Sequence, residues 1–198
     1  MNKIGEDVNK HRAKHMPENY VRFQFTSKRK RMSTVIHNCG KTEHGYDRRV
    51  HMKGAAEIVL DECSFYLNDQ GQKTPLTDSV KQNFLKTITV YASQSLRTIS
   101  FAYRDLRAGE GGPEHNLINE GDYLYEVEKG GYTLVGIIGI KDVIRPEVPL
   151  AVERCQKAGI MVRMVTGDNL ITAKAIAREC GILNDDLANL PDSVMEGP

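Results

Sequence analysis

One short segment carries the residue types that phosphate sites use. Val165-Thr166-Gly167-Asp168-Asn169 lies between a predicted buried strand and a predicted helix, at the edge where parallel sheets place their ligands. The glycine lets the backbone approach a phosphate, and helix-start amides with the Thr166 hydroxyl can bond its oxygens. The same residues also fit an ordinary capped turn in which Thr166 and Asn169 only begin the helix. The segment alone leaves both interpretations open.

Two other segments are candidates for nucleotide contact. Lys53 ends a predicted strand and could hold a cation beside a nucleotide, while Gly54 would leave room for an aromatic base. Phe25 ends an alternating strand before the basic run Lys28–Arg31, so an adenine could stack on it while the basic groups attract a triphosphate. The alternatives are an exposed lysine without a ligand, a core phenylalanine beside a solvated turn, and a nuclear-localisation patch.

Two further patterns have simple explanations. Arg97 follows a long predicted helix and could reach a phosphate, or it could interact with the dipole at the helix C-terminus. His11 and His15 have the spacing of metal ligands on a helix, but no third ligand is near them in the sequence, so we interpret the pair as coincidence.

Composition limits the possible classes. The chain has 198 residues, of which 40% are hydrophobic and 27% charged, with a formal net charge of +1. This length suits one large domain, or one domain and part of another, with enough apolar residues for a core. The near-neutral charge argues against a general binder of nucleic acids or membrane surfaces.

The cysteines and the apolar segments indicate a soluble cytosolic polypeptide. The four cysteines form no CxxC pair and are predicted to be reduced, mostly buried thiols: Cys39, Cys63, Cys155 and Cys180. No run approaches the roughly 20 apolar residues of a membrane-spanning helix. The polar residues 1–16 do not form a signal peptide.

The first two thirds of the chain predict an antiparallel sheet flanked by helices. Period-two alternation places Val21, Phe23 and Phe25 on one face of a strand over 20–25. The other predicted elements are strands over 32–38, 48–52 and 96–103, a short helix over 55–63, a long helix beginning at Thr77 or Asp78, and a surface loop over 107–121.

The last third predicts a parallel βαβ arrangement. Buried strands are expected over 133–140 and 160–165, with a helix between them that starts near Pro146 and ends at Gly159. A second helix is capped by Asn169 and closed by Gly181. The predicted fold class is α/β: an antiparallel α+β domain, followed by part of a parallel α/β domain with the boundary near residues 140–145.

Five motifs, in this order, resemble the P-type ATPases and specifically their calcium-pump branch. They are FTSKRKRMS at 25–33, KGAAE at 53–57, LRT at 96–98, GIKDVIRP at 139–146 and VRMVTGDN at 162–169. The resemblance covers roughly Tyr20 to Leu183. Ser27, Ala56-Glu57 and the stretch Leu96–Asp105 are most similar to plasma-membrane-type calcium pumps.

The resemblance implies roles in a nucleotide-binding domain over residues 1–139. Phe25 would stack on adenine, and Lys30 and Lys53 would line the nucleotide pocket beside Gly54. Arg97 would contact the phosphates and bridge two domains.

The resemblance also implies a hinge and a partial haloacid-dehalogenase-like phosphorylation domain over residues 140–198. Asp142 and Arg145 would lie at the hinge, against ribose or phosphate. Thr166 would bind the transferring phosphoryl group, supported by Gly167 and Asp168.

The chain departs from the family pattern in ways that bear on activity. Ala56 and Val143 stand where the family usually has proline, and neither DKTGT nor GDGVND occurs. The chain is therefore not expected to hydrolyse ATP. An open pocket working alone is expected to bind ATP or ADP weakly, at roughly high micromolar to millimolar concentration. Mg²⁺ would arrive with the nucleotide, and its main ligands would lie in other parts of the pump.

The resemblance further implies a monomer on the cytosolic face of a membrane, with the remaining cytoplasmic and transmembrane parts of the same pump as partners and no nucleic acid. Two rival functions remain. A free-standing haloacid-dehalogenase-like phosphatase or kinase would need a nucleophile such as Asp142, but Val143-Ile144-Arg145 lacks the expected second acid. A binding module could instead use Lys28–Arg31 to contact acidic lipid, protein or nucleic acid.

Overall fold

Nine strands and five helices are present in the part of the chain that the structure describes. The structure is a computed structural model, and it describes residues 7, 9, 20–37, 45, 48–107, 117–119, 124–188, 190 and 192–195. The strands are β1 (Val21–Phe23), β2 (Arg31–His37), β3 (Arg48–Ala55), β4 (Cys63–Leu67), β5 (Lys73–Pro75), β6 (Leu96–Asp105), β7 (Leu117–Asn119), β8 (Leu124–Tyr125) and β9 (Tyr132–Lys141). The helices are α1 (Ala56–Asp61), α2 (Asp78–Ser93), α3 (Val148–Lys157), α4 (Leu170–Glu179) and α5 (Asp185–Ala188), with a 3₁₀ turn at Glu126–Glu128.

Seven strands form one mainly antiparallel sheet. Its order is β1-β2-β3-β6-β9-β4-β5, while β7 and β8 pair separately. The central ladder joins β2, β3 and β6 in antiparallel register, and β4 runs parallel to β9. This mixed sheet confirms the predicted α/β class and its antiparallel first part.

Alternation along β3 gives the sheet one buried and one open face. Val50, Met52 and Gly54 are buried, whereas His51 and Lys53 between them are exposed. Helix α1 lies on the buried side, where Ala56, Val59 and Leu60 join the core and the Ser100 hydroxyl donates to the Ala56 carbonyl at 3.2 Å. The outward-facing residues of the central strands therefore remain available for a ligand.

Backbone contacts divide the chain into two compact units. One contains the described residues up to Lys81 and Ile99–Ile137, and the other contains Gln82–Thr98 and the described residues from Ile138 onwards. In the second unit, Gly139 approaches Leu96 so closely that an added Cβ would lie 2.8 Å from its Cδ1. The side-chain Nε2 of Gln156 on α3 donates to the Gly181 carbonyl after α4, at 3.0 Å. The predicted domain boundary at residues 139–140 stays a prediction.

The predicted helix ends are confirmed where local chemistry determines them. The Thr77 hydroxyl accepts from the Val80 amide at 3.4 Å before α2, and Asn169 accepts from the Ile171 amide at 2.9 Å before α4. Gly159 and Gly181 follow α3 and α4 in left-handed conformation, with φ of 75° and 76°. Such positions favour glycine because a Cβ there meets the backbone.

The predicted buried strand over 160–165 is wrong, and with it the parallel βαβ unit. Residues 160–166 have no strand conformation, and Val165 is 98% exposed. A strand requires a neighbour for its backbone hydrogen bonds, and none of the described strands pairs with this apolar run. The strand over 133–140 is confirmed as β9, but its burial ends at Leu134.

Other differences concern short strands. The strand predicted over 20–25 is confirmed only for Val21–Phe23, so Phe25 lies beyond it. Strands β4 and β5 were not predicted. Within the predicted loop over 107–121, the structure describes residue 107 and residues 117–119. The latter three residues form β7 instead of a loop.

The cysteine prediction is confirmed for the three cysteines that the structure describes. Cys63 and Cys180 are buried, Cys155 is half-buried, and all three are free thiols; Cys39 lies outside the described residues. Burial, as the largest cause, raises the pKa of the Cys63 thiol to about 12. Its Sγ also lies 3.1 Å from the Val59 carbonyl.

We expect Cys63 in the native chain to react with iodoacetamide at pH 8 about 10³-fold more slowly than a free thiol, because only the thiolate is nucleophilic. A mass-spectrometric time course should show Cys155 modified first, and equal rates for both would contradict this. The folded thiol loses its proton less readily than the unfolded thiol. Its contribution to the free energy of unfolding is therefore highest below the unfolded thiol's pKa, and it falls as the pH rises from about 9 towards 12.

Candidate functional site

The open face of the sheet forms a groove of about 510 Å³. Four neighbouring strands contribute to it, and its lining includes Met32, His51, Lys53, Phe101, Tyr103 and Val135. Apolar walls with a few polar groups are typical of small-molecule sites, and this volume lies in the range of roughly 300–1,000 Å³ found for such pockets.

The strand register determines which groups face the groove. Lys53 pairs with Met32 on one side and Phe101 on the other, so its ammonium group rises from an apolar and aromatic surface. Two residues along, His51 lies between Thr34 and Tyr103. The groove therefore has an apolar lining around one lysine. A ligand with an aromatic base and an anionic group requires this combination.

The far end of the groove is closed by a paired arginine. The Arg49 guanidinium lies 4.3 Å from the Tyr103 ring centroid, and its Nε donates to Asp105 Oδ1 at 2.6 Å. Partial desolvation against the groove walls lowers the pKa of His51, Arg49 lowers it further, and Asp105 opposes the shift. A neutral imidazole is therefore favoured at neutral pH, and Lys53 supplies the cation of this surface.

The basic turn before β2 holds Lys30 beside the end of β3. The Lys30 amide donates to the Thr26 carbonyl at 2.8 Å, and the Lys30 carbonyl accepts from the Ala55 amide at 2.9 Å. Lys30 has a left-handed backbone, with φ of 51°, which is uncommon for a residue with a Cβ and is concentrated at functional positions. The sequence-predicted residues Lys30 and Gly54 are thus brought together.

The role predicted for Gly54 needs correction. An added Cβ would lie 2.4 Å from the Lys30 carbonyl oxygen and 2.7 Å from the Arg31 Cα. The space that this glycine leaves is therefore occupied by the backbone of the turn, and no room for an aromatic base remains there. Gly54 is required for the close approach of the turn to β3.

The surroundings of Phe25 do not fit the alternative of a core phenylalanine beside a solvated turn. Its side chain is 57% exposed and lies outside β1, so it is not a core phenylalanine. The turn after it is not uniformly solvated either, because Arg29 and Arg31 are buried. The basic run thus exposes Lys28 and Lys30 only, which weakens the hypothesis of a four-residue basic contact patch.

Four predicted residues of the second unit meet in one cluster. Arg97 Nε and Nη2 lie 3.0 and 3.1 Å from the two carboxylate oxygens of Asp168, and Nη2 lies 3.7 Å from Asp142. The Thr166 hydroxyl donates to Asp168 at 3.0 Å, and the Asp168 amide donates back to Thr166 Oγ1 at 3.1 Å. The hydrogen bond with Asp168 is the largest cause of the raised pKa of Arg97.

This cluster corrects the helix-dipole interpretation of Arg97. The side-chain contacts that form it do not involve Gly167 or Arg145. Arg97 is the second residue of β6 and pairs with carboxylates, so it does not serve the dipole of α2. Gly167 has open space where a Cβ would be, as a close phosphate approach requires. Arg145 is exposed in the segment before α3, where its carbonyl accepts from the Val148 amide at 2.9 Å.

The sequence reasoning missed His51 and the buried partners of the basic turn. Period-two alternation in β3 was a usable signal, because it places His51 on the same face as Lys53. Arg29 and Arg31 pair with Glu128, which lies 99 residues after Arg29. No local pattern marks such a pair.

The described residues contain neither a metal-ligand cluster nor a spanning helix. No group of three or more His, Cys, Asp or Glu side chains is placed to hold a metal ion within the described part of the chain. Over the same residues, no helix combines the length and apolar character that crossing a bilayer requires.

Comparison with known proteins agrees with the motifs. The chain is 44% identical over 180 residues to "Calcium-transporting ATPase PAT1" of Dictyostelium discoideum, covering 89% of this chain and 14% of that protein. It is 44% identical over 162 residues to "Calcium-transporting ATPase 2, plasma membrane-type" of Arabidopsis thaliana, covering 82% and 14%. It is 45% identical over 166 residues to human "Plasma membrane calcium-transporting ATPase 1", covering 83% and 13%.

These lengths mean that the chain spans about one seventh of its relatives. The family model described as "P-type ATPase, cytoplasmic domain N" matches residues 1–147, which is well over half of the chain. The resemblance inferred from the five motifs is confirmed, and the chain belongs to the P-type ATPases.

Proposed function

We propose that this chain is the ATP-binding cytoplasmic part of a P-type calcium-transporting ATPase. The observation that carries the proposal is the open groove with Lys53 in its lining, on a chain that matches the family's cytoplasmic domain N. The names of all three relatives support calcium as the transported ion, and two of the three support a plasma-membrane-type pump as the parent.

In this proposal, ATP lies on the open face of the first unit. The exposed ring of Phe25 stacks on adenine, Met32 and Phe101 supply apolar contact, and the ammonium groups of Lys30 and Lys53 attract the phosphates. Phosphoryl transfer depends mainly on positioning and charge neutralisation, so holding the nucleotide is a sufficient task for a separate domain.

We further propose roles for the second cluster. Arg97 contacts phosphate oxygens once it exchanges its Asp168 partner, and Thr166 with Gly167 receives the transferring phosphoryl group. Asp142 and Arg145 then serve the hinge between a nucleotide-binding domain over 1–139 and a partial phosphorylation domain over 140–198. The phosphorylated aspartate and the main Mg²⁺ ligands belong to other parts of the parent pump, so this chain alone binds ATP or ADP without hydrolysing ATP.

The proposed partners follow from this assignment. They are ATP or ADP and the remaining cytoplasmic and transmembrane parts of the same pump, with the chain as a monomer on the cytosolic side. The rival free-standing phosphatase has less support, because the Asp142 carboxylate lies 3.7 Å from the guanidinium of Arg97 and Val143-Ile144-Arg145 after it contains no second acid.

Replacing Lys53 with glutamine tests the proposal. We expect the wild-type chain to bind ATP with a Kd near 1 mM, equivalent to about 4 kcal/mol, and Lys53→Gln to bind about tenfold more weakly, equivalent to about 1.4 kcal/mol. The loss reflects one charge-assisted contact with phosphate. Titration of amide chemical shifts with ATP measures both values.

Lys86→Gln is the matched control, because Lys86 is an exposed lysine on α2 outside the groove lining. Its affinity should equal that of the wild type. Equal affinity of Lys53→Gln and Lys86→Gln, or no response of the wild type at several millimolar ATP, would contradict the proposal.

A further inference from the structure

A completely buried carboxylate lies behind the turn that carries Lys30. Glu128 ends the 3₁₀ turn Glu126–Glu128, and its side chain is 0% exposed. An ionised carboxylate away from water is strongly destabilising unless charged partners and hydrogen bonds compensate it. The identity of those partners indicates what this residue does.

The partners of Glu128 come from the basic turn and from β2. Oε1 accepts from the Arg29 guanidinium and from the Ser33 hydroxyl. Oε2 lies 3.6 Å from Nε of Arg31, whose Nη1 donates to Glu62 at 2.9 Å. Two arginines thus face two carboxylates, of which Glu128 is completely buried and Glu62 is 22% exposed.

Arg29 connects the start of the turn to this cluster. Besides Glu128, its guanidinium donates to the Gln24 carbonyl and lies 4.8 Å from the centroid of the Tyr125 ring. Gln24 immediately precedes Phe25, so one side chain fixes the backbone that enters the turn. The buried Arg31 fixes the backbone that leaves it.

The arrangement leaves Lys30 as the outward residue between two inward arginines. Lys30 is exposed, whereas Arg29 and Arg31 are buried. Its left-handed backbone is maintained by the hydrogen bonds from Lys30 to Thr26 and from Ala55 to Lys30. The bond from Ala55 requires that the turn stays against β3. The charge cluster of Arg29, Arg31, Glu62 and Glu128 lies on the side of the turn opposite to the exposed Lys30 side chain.

We propose that Glu128 is a positioning residue for nucleotide binding: it anchors residues 24–31 through Arg29 and Arg31, and so fixes where Phe25 and Lys30 point. This role rests on the proposed function, because it assigns Phe25 and Lys30 to the nucleotide. Glu128 itself touches no nucleotide, since its carboxylate is enclosed by Arg29, Arg31 and Ser33.

Glu128→Gln tests the role in the 198-residue chain, because glutamine keeps the shape but removes the charge that both guanidinium groups face. We expect ATP to bind at least fivefold more weakly by amide-shift titration. We also expect the Lys30 and Ala55 amides to exchange with solvent at least tenfold faster, with less than twofold change at the Ala173 amide, which donates within α4.

Glu126→Gln is the matched control. Glu126 lies in the same 3₁₀ turn but is exposed, so its affinity and amide exchange should equal those of the wild type. Glu62→Gln removes the more accessible carboxylate of the cluster and should weaken ATP binding about twofold to threefold. It supplies the comparison if Glu128→Gln gives no dispersed spectrum.

The outcomes separate the positioning role from the function on which it rests. A wild-type chain that ignores ATP overturns the proposed function and the positioning role together. A wild-type chain that binds ATP, beside a Glu128→Gln chain that binds equally well, overturns the positioning role alone. Faster exchange to the same extent at Lys30, Ala55 and Ala173 would also overturn it, because the residue would then only stabilise the fold.

Discussion

Alanine at position 54 is expected to lower the free energy of unfolding by about 3 kcal/mol or more. The new Cβ would lie 2.4 Å from the Lys30 carbonyl oxygen, and that oxygen already accepts the Ala55 amide at 2.9 Å. Overpacking costs about 1–3 kcal/mol when side chains can adjust. Here the obstructing atoms are backbone, so the upper end applies, and urea denaturation measures the loss.

Gly136→Ala is the control for this prediction. Gly136 lies within β9, it does not have a left-handed backbone, and no atom lies within 4 Å of its added Cβ. Its free energy of unfolding should change by less than about 0.5 kcal/mol. Similar stabilities of the two variants would show that the turn does not rest on Gly54. The Gly54→Ala chain should also lose ATP affinity, because the turn that carries Lys30 must move.

Arg29→Met is expected to lower the free energy of unfolding by about 3–5 kcal/mol, the cost of leaving one partner of a buried ion pair without the other. Methionine replaces the aliphatic part of the arginine, but Glu128 then loses its guanidinium partner on Oε1 and keeps Arg31 and Ser33 in a buried site. The Gln24 carbonyl also loses its guanidinium donor. The midpoint and slope of urea unfolding give the change.

Lys129→Met controls for the loss of a positive charge near Glu128. Lys129 is exposed and adjacent in sequence, and exposed charges contribute about 0–1 kcal/mol. A loss of less than about 1 kcal/mol for Arg29→Met would contradict the account, since it would mean that the buried pair of Arg29 and Glu128 contributes little to stability.

The elements that could be predicted are those whose signals are local. Asn169 as a cap and Gly159 and Gly181 as helix ends each act within a few residues, and all three are found as predicted. Strand β4 was missed because its parallel partner is β9, with Cys63 opposite Tyr132. Such a pairing leaves no mark in the sequence near either residue.

The apolar run over 160–165 shows the limit of hydrophobic pattern. Its composition favours a buried strand, but burial depends on a neighbouring strand that the described chain does not place there, and Met161 and Val165 remain exposed. Apolar composition indicates a segment that can be buried. Whether it is buried depends on a neighbouring strand, which the composition of the segment does not identify.

The residues of the candidate site also divide into those with a local sequence signal and those that depend on distant parts of the chain. Lys53 and Lys30 were predicted from their motifs, and their contact with a nucleotide stays a prediction. Arg97, Asp142, Thr166 and Asp168 were predicted individually and meet in one cluster. The reason for Gly54 was wrong, because only the structure shows the backbone that fills its free side. Glu128 could not be predicted at all, since a glutamate after a polar loop is ordinarily exposed.

Intermolecular nuclear Overhauser effects between ATP and the chain test the central claim most directly. Contacts of roughly 5 Å or less give such signals, so they report which side chains touch the base. The account predicts signals from the adenine H2 and H8 protons to the Phe25 ring and the Met32 methyl group, at millimolar ATP. Signals to residues away from the open face of the sheet, with none to Phe25 or Met32, would contradict it.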